Sequence, residues 1–157
     1  MESIEKRGVI FGAATTAGLI AYFSVMNVFG LSHNFNLRAF NAIIMFFGVF
    51  LSIKTYKDFK GKQFEFLKGA GTGLITSLVT ATLFTVFFSL YIYLDPAFYA
   101  EIKAEEPQGI YMNAWGIAAL IFIEAVASGF LFTYLSMQWL KKSGTEDLYP
   151  RSSIQNK

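Results

Sequence analysis

One carboxylate in this chain stands where an acid is costly to keep. Glu124 lies within an uninterrupted apolar stretch, Gly116 to Leu140, GIAALIFIEAVASGFLFTYLSMQWL. A run of that length and composition reads as a helix crossing a bilayer. An acid at such depth is expected to turn toward protein or water rather than lipid. It falls about ten residues, or about 15 Å, from the nearer end of its span, close to the bilayer midplane. The same depth on the other apolar stretches is reached near Ile20 and Thr82, so Thr80, Thr82, Thr85 and Thr16, with Tyr22 and Ser24, are its candidate partners. No lysine, arginine or histidine is available at that level, and desolvation disfavours an unpaired carboxylate. The expectation is a protonated Glu124 that donates to a hydroxyl or a backbone carbonyl. Two roles are open to it: a structural hydrogen bond, or a protonatable site in transport or ligand binding.

The second reactive set is basic. The segment KTYKDFKGKQFEFLK carries Lys54, Lys57, Lys60, Lys62 and Lys68, with Gly61 as the natural turn. Its lysines would meet lipid headgroups while Phe59, Phe64, Phe66 and Leu67 lie on the membrane surface. A purely orienting role for these lysines is the simpler alternative. Other polar residues are less productive. His33 is the only histidine, and with Asn34 and Asn36 beside it the ligand count is too low for a metal. Asp95, Glu101, Glu105 and Glu106 lack the spacing of a glycosidase pair or a calcium loop and read as a solvated charged face. Gly69, Gly71 and Gly73 imitate a nucleotide fingerprint, but no strand precedes them. There is no cysteine. No Ser/His, Cys/His or two-acid constellation lies at membrane depth, so the chain reads as no enzyme. It calls for no cofactor, no metal and no nucleic acid.

Four apolar blocks must position these residues. The chain of 157 residues is 54% hydrophobic and only 15% charged, against about 25% charged in ordinary globular domains. The expected fold is all-α: an integral membrane bundle of four transmembrane helices over residues 1–142, with spans at 8–30, 39–56, 69–94 and 114–140. A polar tail follows at 143–157. The first run is too long for a cleavable signal of about 7–15 apolar residues and reads as an uncleaved span. Close helix packing is expected at small-residue pairs: Ala14 with Gly18, a stripe of Gly69, Thr72, Gly73, Thr76 and Thr80, and Ala125 with Gly129. Asn41 reads as an interfacial or interhelical hydrogen bonder. Asp95 and Pro96 start a short amphipathic helix, with Phe98 and Ile102 expected to face the membrane. Trp115 and Trp139 mark the aromatic belts at the ends of the last span.

Basic residues near spans favour the cytoplasm. The N-terminus, the 54–68 segment and the tail hold eleven of the thirteen lysines and arginines; Arg38 and Lys103 are the other two. Both termini are therefore expected inside, with an even number of spans.

The run LSIKTYKDFKGKQFEFLKGAGTG, then a long apolar span, then YIYLDPAFYAEI resembles the domain of unknown function 4199, a family of small bacterial membrane proteins. The similar features are the segment from Lys54 to Lys57 closing the second span, the Gly61–Lys62 turn, Phe64 to Lys68 opening the third, and Pro96 with Phe98 after it. The likeness covers roughly 39–102. It implies four helices in a bacterial inner (cytoplasmic) membrane and carries no activity, so it transfers no catalytic residue. The functional expectation is a structural, accessory or complex-forming membrane subunit whose partners are the lipid bilayer and either copies of itself or a membrane complex. The alternative is a small oligomeric transporter or channel using Glu124.

Overall fold

A computed structural model of the chain describes residues 4–30, 35–105 and 113–145, those at 35–38, 62, 105 and 141–145 by backbone alone. All regular structure among them is helical: α1 (Ile4–Val28), α2 (Phe35–Lys60), a 3-10 turn (Gly61–Gln63), α3 (Phe66–Leu94), α4 (Pro96–Glu105) and α5 (Ala114–Thr145). Four of these are long and apolar enough to cross a membrane, at Ile4–Val28, Ala39–Lys60, Phe66–Leu94 and Ala114–Leu140. Helices suit that environment because each backbone group is bonded within its own segment. The chain is a multi-pass membrane protein.

Helix ends follow local chemistry. After α1, Gly30 takes a left-handed φ of 66°, and its N–H donates to the Asn27 carbonyl at 3.0 Å. After α2, Gly61 takes φ 52° and turns the chain back into α3. Asp95 accepts the Phe98 N–H at 3.0 Å, capping α4 just before Pro96, as the sequence anticipates. Each long helix outruns its expected span at one end or both: α1 starts at Ile4 rather than 8 and α3 at Phe66 rather than 69. α2 extends to 35–60 rather than 39–56, and α5 continues to Thr145, into the expected tail. The hydrocarbon sets where apolar composition stops. It does not stop backbone hydrogen bonding, which continues where lysines are solvated.

Small residues set the register. Gly8 of α1 lies against Ile75 and the Thr72 carbonyl, and Gly12 against Val79 and the Thr76 carbonyl, so α1 and α3 run parallel. Thr15 meets Gly48 and Gly18 meets Ile44, which makes α2 antiparallel to α1. On the other flank Gly69 meets Met137, Gly73 meets Thr133, and Gly129 meets Ser77, a ladder of four-residue steps between antiparallel α3 and α5. α3 therefore lies between α1 and α5, with α2 across both seams. The start of α1 and the end of α5 are at the same end of the bundle. The stripe Gly69, Thr72, Gly73, Thr76 and Thr80 is buried throughout, as expected. Ala14 is not: it is exposed, and Gly8 and Gly12 are the buried small pair of α1. Two steps of about 100° put Ala14 on the far side of the helix from Gly12.

Two apolar clusters close the ends. Near the termini, Val49, Ile53, Met137 and Leu140 pack with Phe50, Phe64, Ala70 and Phe132. At the opposite end Ile92, Phe98 and Ile117 pack with Phe23, Phe88, Tyr91 and Ile102. Phe98 thus turns into the bundle instead of facing the membrane. Its ring meets Phe23 at 5.8 Å and Tyr91 at 5.1 Å, both edge to face, a better arrangement for an aromatic ring than contact with acyl chains.

Candidate functional site

Glu124 is positioned by the way α5 packs. Its side toward α3 is fixed by size, because Ser77 and the Met45 methyl fill the space beside Gly129, and Thr133 fills the space beside Gly73. Phe132 of the same face sets its ring edge-on to Phe46 of α2 at 5.7 Å. Glu124 lies five residues before Gly129, about 140° around the helix. It is accordingly exposed on the outer face of α5. None of the described residues bonds to it or pairs with it. The expected inward-facing acid is therefore corrected. The small pair Ala125 and Gly129 shows which side packs only once Gly129 is seated on Ser77, and position 124 then falls off that side.

Along the bundle axis Glu124 lies opposite the expected residue of α3. One more turn of the ladder beyond Gly129 and Ser77 brings Glu124 level with Thr82. The five residues expected to form one polar site nevertheless do not converge. Thr80 is buried between α1 and α3, its hydroxyl 2.8 Å from the Thr76 carbonyl and 3.2 Å from that of Gly12. Thr16 is buried in α1 and donates to the Gly12 carbonyl at 2.8 Å. Thr82 is exposed and donates to the Leu78 carbonyl at 2.8 Å. Thr85 is half-buried, its hydroxyl oxygen shielded and without a partner among the described residues. Ser24 donates to the Ile20 carbonyl at 2.8 Å, and Tyr22 packs on Phe40 at 6.2 Å. The hydroxyls of Thr16, Ser24, Thr80 and Thr82 thus bond back to their own helix, as serine and threonine do where no water competes.

What the interior does contain is a hydroxyl seam. Ser52 and Thr76, both fully buried, meet at 2.7 Å across α2 and α3. Thr76 also donates to the Thr72 carbonyl at 2.8 Å, and Ser77 to the Gly73 carbonyl at 2.9 Å. The shielded oxygens of Asn41, Thr133 and Ser136 have no partner among the described residues. Because Thr76 keeps its intrahelical bond, Ser52→Ala is expected to cost only about 0.6 kcal/mol, the average for such bonds in a membrane. Reversible unfolding of the purified protein checks this, and a loss above about 2 kcal/mol would mean that the seam acts as a unit.

The five lysines divide. Lys57 donates to the Leu140 carbonyl at 2.7 Å, tying the end of α2 to the end of α5. Lys68 pairs with Glu65 at 2.6 Å, both side chains exposed. Lys60 lies 5.7 Å from the Phe59 ring centroid, and buried Arg7 lies 5.1 Å from the same ring. Lys54 is exposed. The side chain of Lys62 lies outside the described residues, as do the 31–34 loop with His33 and Asn34, the side chains of Asn36, Arg38 and Glu105, and Glu106. Sequence reasoning did not anticipate the buried Arg7 or the Lys57 tie.

A family described as a protein of unknown function (DUF4199) matches residues 6–142. The chain belongs to the DUF4199 family. The match begins in α1 and ends in α5, so the DUF4199 unit coincides with the whole helical bundle and takes in Glu124 and all five lysines. No curated protein and no solved structure matches the chain. For this DUF4199 protein the geometry of the bundle has to carry the functional reading.

Proposed function

We propose that this protein is a non-enzymatic, complex-forming subunit of a bacterial inner membrane, with both termini cytoplasmic, which docks another membrane helix on the outer face of α5. The observation behind the reading is Glu124, exposed on that face with no partner among the described residues. A carboxyl left among acyl chains has neither hydrogen bonds nor solvation. A neighbouring helix supplies what the bundle does not. The cytoplasmic orientation rests on the clustering of basic residues at the end that holds both termini. An internal transport route loses its ionisable group once Glu124 is outside the bundle. A transport role, if exercised, would run between subunits and still require the docking.

The test is the assembly size of the purified protein in mild detergent. Wild type is expected to run larger than one chain. Glu124→Leu should raise its dissociation constant about tenfold, the equivalent of losing one intramembrane hydrogen bond of about 1–2 kcal/mol. A monomeric wild type, or a Leu variant that assembles like wild type, would remove this reading.

A further inference from the structure

The stripe of α5 that carries Glu124 has a period of its own. Leu120, Glu124, Ala127, Leu131, Tyr134 and Gln138 are all exposed, and they follow one another at alternating steps of four and three residues. That spacing is the 3.5-residue repeat of a left-handed helix–helix seam. Glu124, Tyr134 and Gln138 share this one stripe, whereas Thr133 and Ser136 of the same helix are turned into the bundle. Tyr134 and Gln138 approach the interface marked by Trp139, whereas Glu124 lies where lipid offers no hydrogen bond and a facing helix does. Ala127, one turn from Glu124, leaves room for a second backbone to come close.

We infer that the occupant is a second copy of this chain, docked about a two-fold axis along the membrane normal so that Glu124 meets Glu124. This rests on the docking reading above and names its partner. Copies of one membrane protein insert the same way up, so a symmetric pair of α5 helices is parallel and each residue meets its own counterpart at equal depth. Such an interface must be self-complementary. A carboxylic acid is, because protonated it is both donor and acceptor, and so is the Gln138 amide. A second copy brings no cation to the level of Glu124, since the sequence holds no lysine, arginine or histidine from 8 to 32, 69 to 102 or 104 to 140. The two acids therefore meet each other rather than a cation.

Self-pairing and pairing with a foreign cationic helix differ at one substitution. Glutamine also bonds to itself, so Glu124→Gln preserves a self-paired interface and weakens a cationic one. The chain has no native cysteine, so a single cysteine reports the contact. Ala127→Cys, reconstituted in vesicles of phosphatidylethanolamine and phosphatidylglycerol and mildly oxidised, is expected to give a disulfide-linked dimer. The yield should exceed at least tenfold that of Val86→Cys on the exposed face of α3. Adding Glu124→Gln should leave the yield unchanged, and adding Glu124→Leu should lower it several-fold, with unfolding temperatures matched to show that each variant folds. A dimer yield no better than that of Val86→Cys, or one abolished by glutamine, overturns the second copy. A photo-crosslinker at position 127 in native membranes then separates the two failures. Trapping a different protein there leaves the docking reading standing and this inference refuted; trapping no protein refutes both.

Discussion

Gly12→Leu is expected to unfold the bundle. A Cβ at position 12 would lie 2.7 Å from the Val79 Cβ and 3.0 Å from the Thr76 carbonyl oxygen. The second of these is backbone, so no rotamer change relieves it, and α1 must move away from α3. That motion separates Gly8 from Thr72 and the Thr80 hydroxyl from the Gly12 carbonyl. In lipid the loss is severe, because helices associate there through close packing and hydrogen bonds rather than by leaving water. Overpacking of about 3 kcal/mol or more is the expected cost, comparable to a large part of a typical domain's stability. Purified variant should show collapse of the unfolding transition or aggregate on extraction. Gly71→Ala is the control: its new Cβ meets only the Ile4 methyl at 3.8 Å, an ordinary contact. That variant should be as stable as wild type or slightly more so, given the helical cost of glycine. Equal stability of the Leu and Ala variants would show that α1 does not depend on this close approach.

Phe98→Ala should detach α4 from the bundle and cost about 3 kcal/mol. Phe98 is 6% exposed and touches Phe23, Phe88 and Tyr91 edge to face. Phe23 in turn meets Phe87, Phe88 and Tyr91, so one ring from a surface helix joins α1 to α3. The Asn27 amide donates to the Tyr91 hydroxyl at 2.7 Å, which places that hydrogen bond beside the same cluster. Removing the ring leaves a cavity that short α4 cannot fill, held as it is by its Asp95 cap. Faster amide exchange and proteolysis across 96–105, together with a lowered unfolding temperature, is the expected result. Unchanged protection of α4 would mean that its cap and backbone bonds suffice without the aromatic contact.

Both variants act where small residues or rings meet. Four apolar runs bounded by charge predicted four helices of about the right extent, since the bilayer imposes length and composition directly on the sequence. The buried stripe from Gly69 to Thr80 was equally legible, because small residues at helical spacing serve close packing wherever a partner exists. Phe98 packs inside rather than on the membrane, since an amphipathic pattern shows only that an apolar face is covered. Whether lipid or a neighbouring helix covers it is a tertiary matter. Ala14 faces out while Gly8 and Gly12 face α3 for the same reason: several small pairs exist on α1, and the phase of α3 selects one.

Glu124 marks the boundary between the two kinds of knowledge. Its presence, its depth and the lack of any cation at its level are properties of the linear sequence, because rise per residue and residue type alone set them. Its direction is not. A helix in lipid is free to rotate about its axis until a neighbour fixes it, and here Gly129 against Ser77 and Thr133 against Gly73 fix α5 with the acid outward. The sequence determined that this is a four-span membrane bundle with one deep carboxyl. Only the packing of α5 on α3 decided that the carboxyl faces out of the bundle, because the azimuth of a helix is set by the surface it meets.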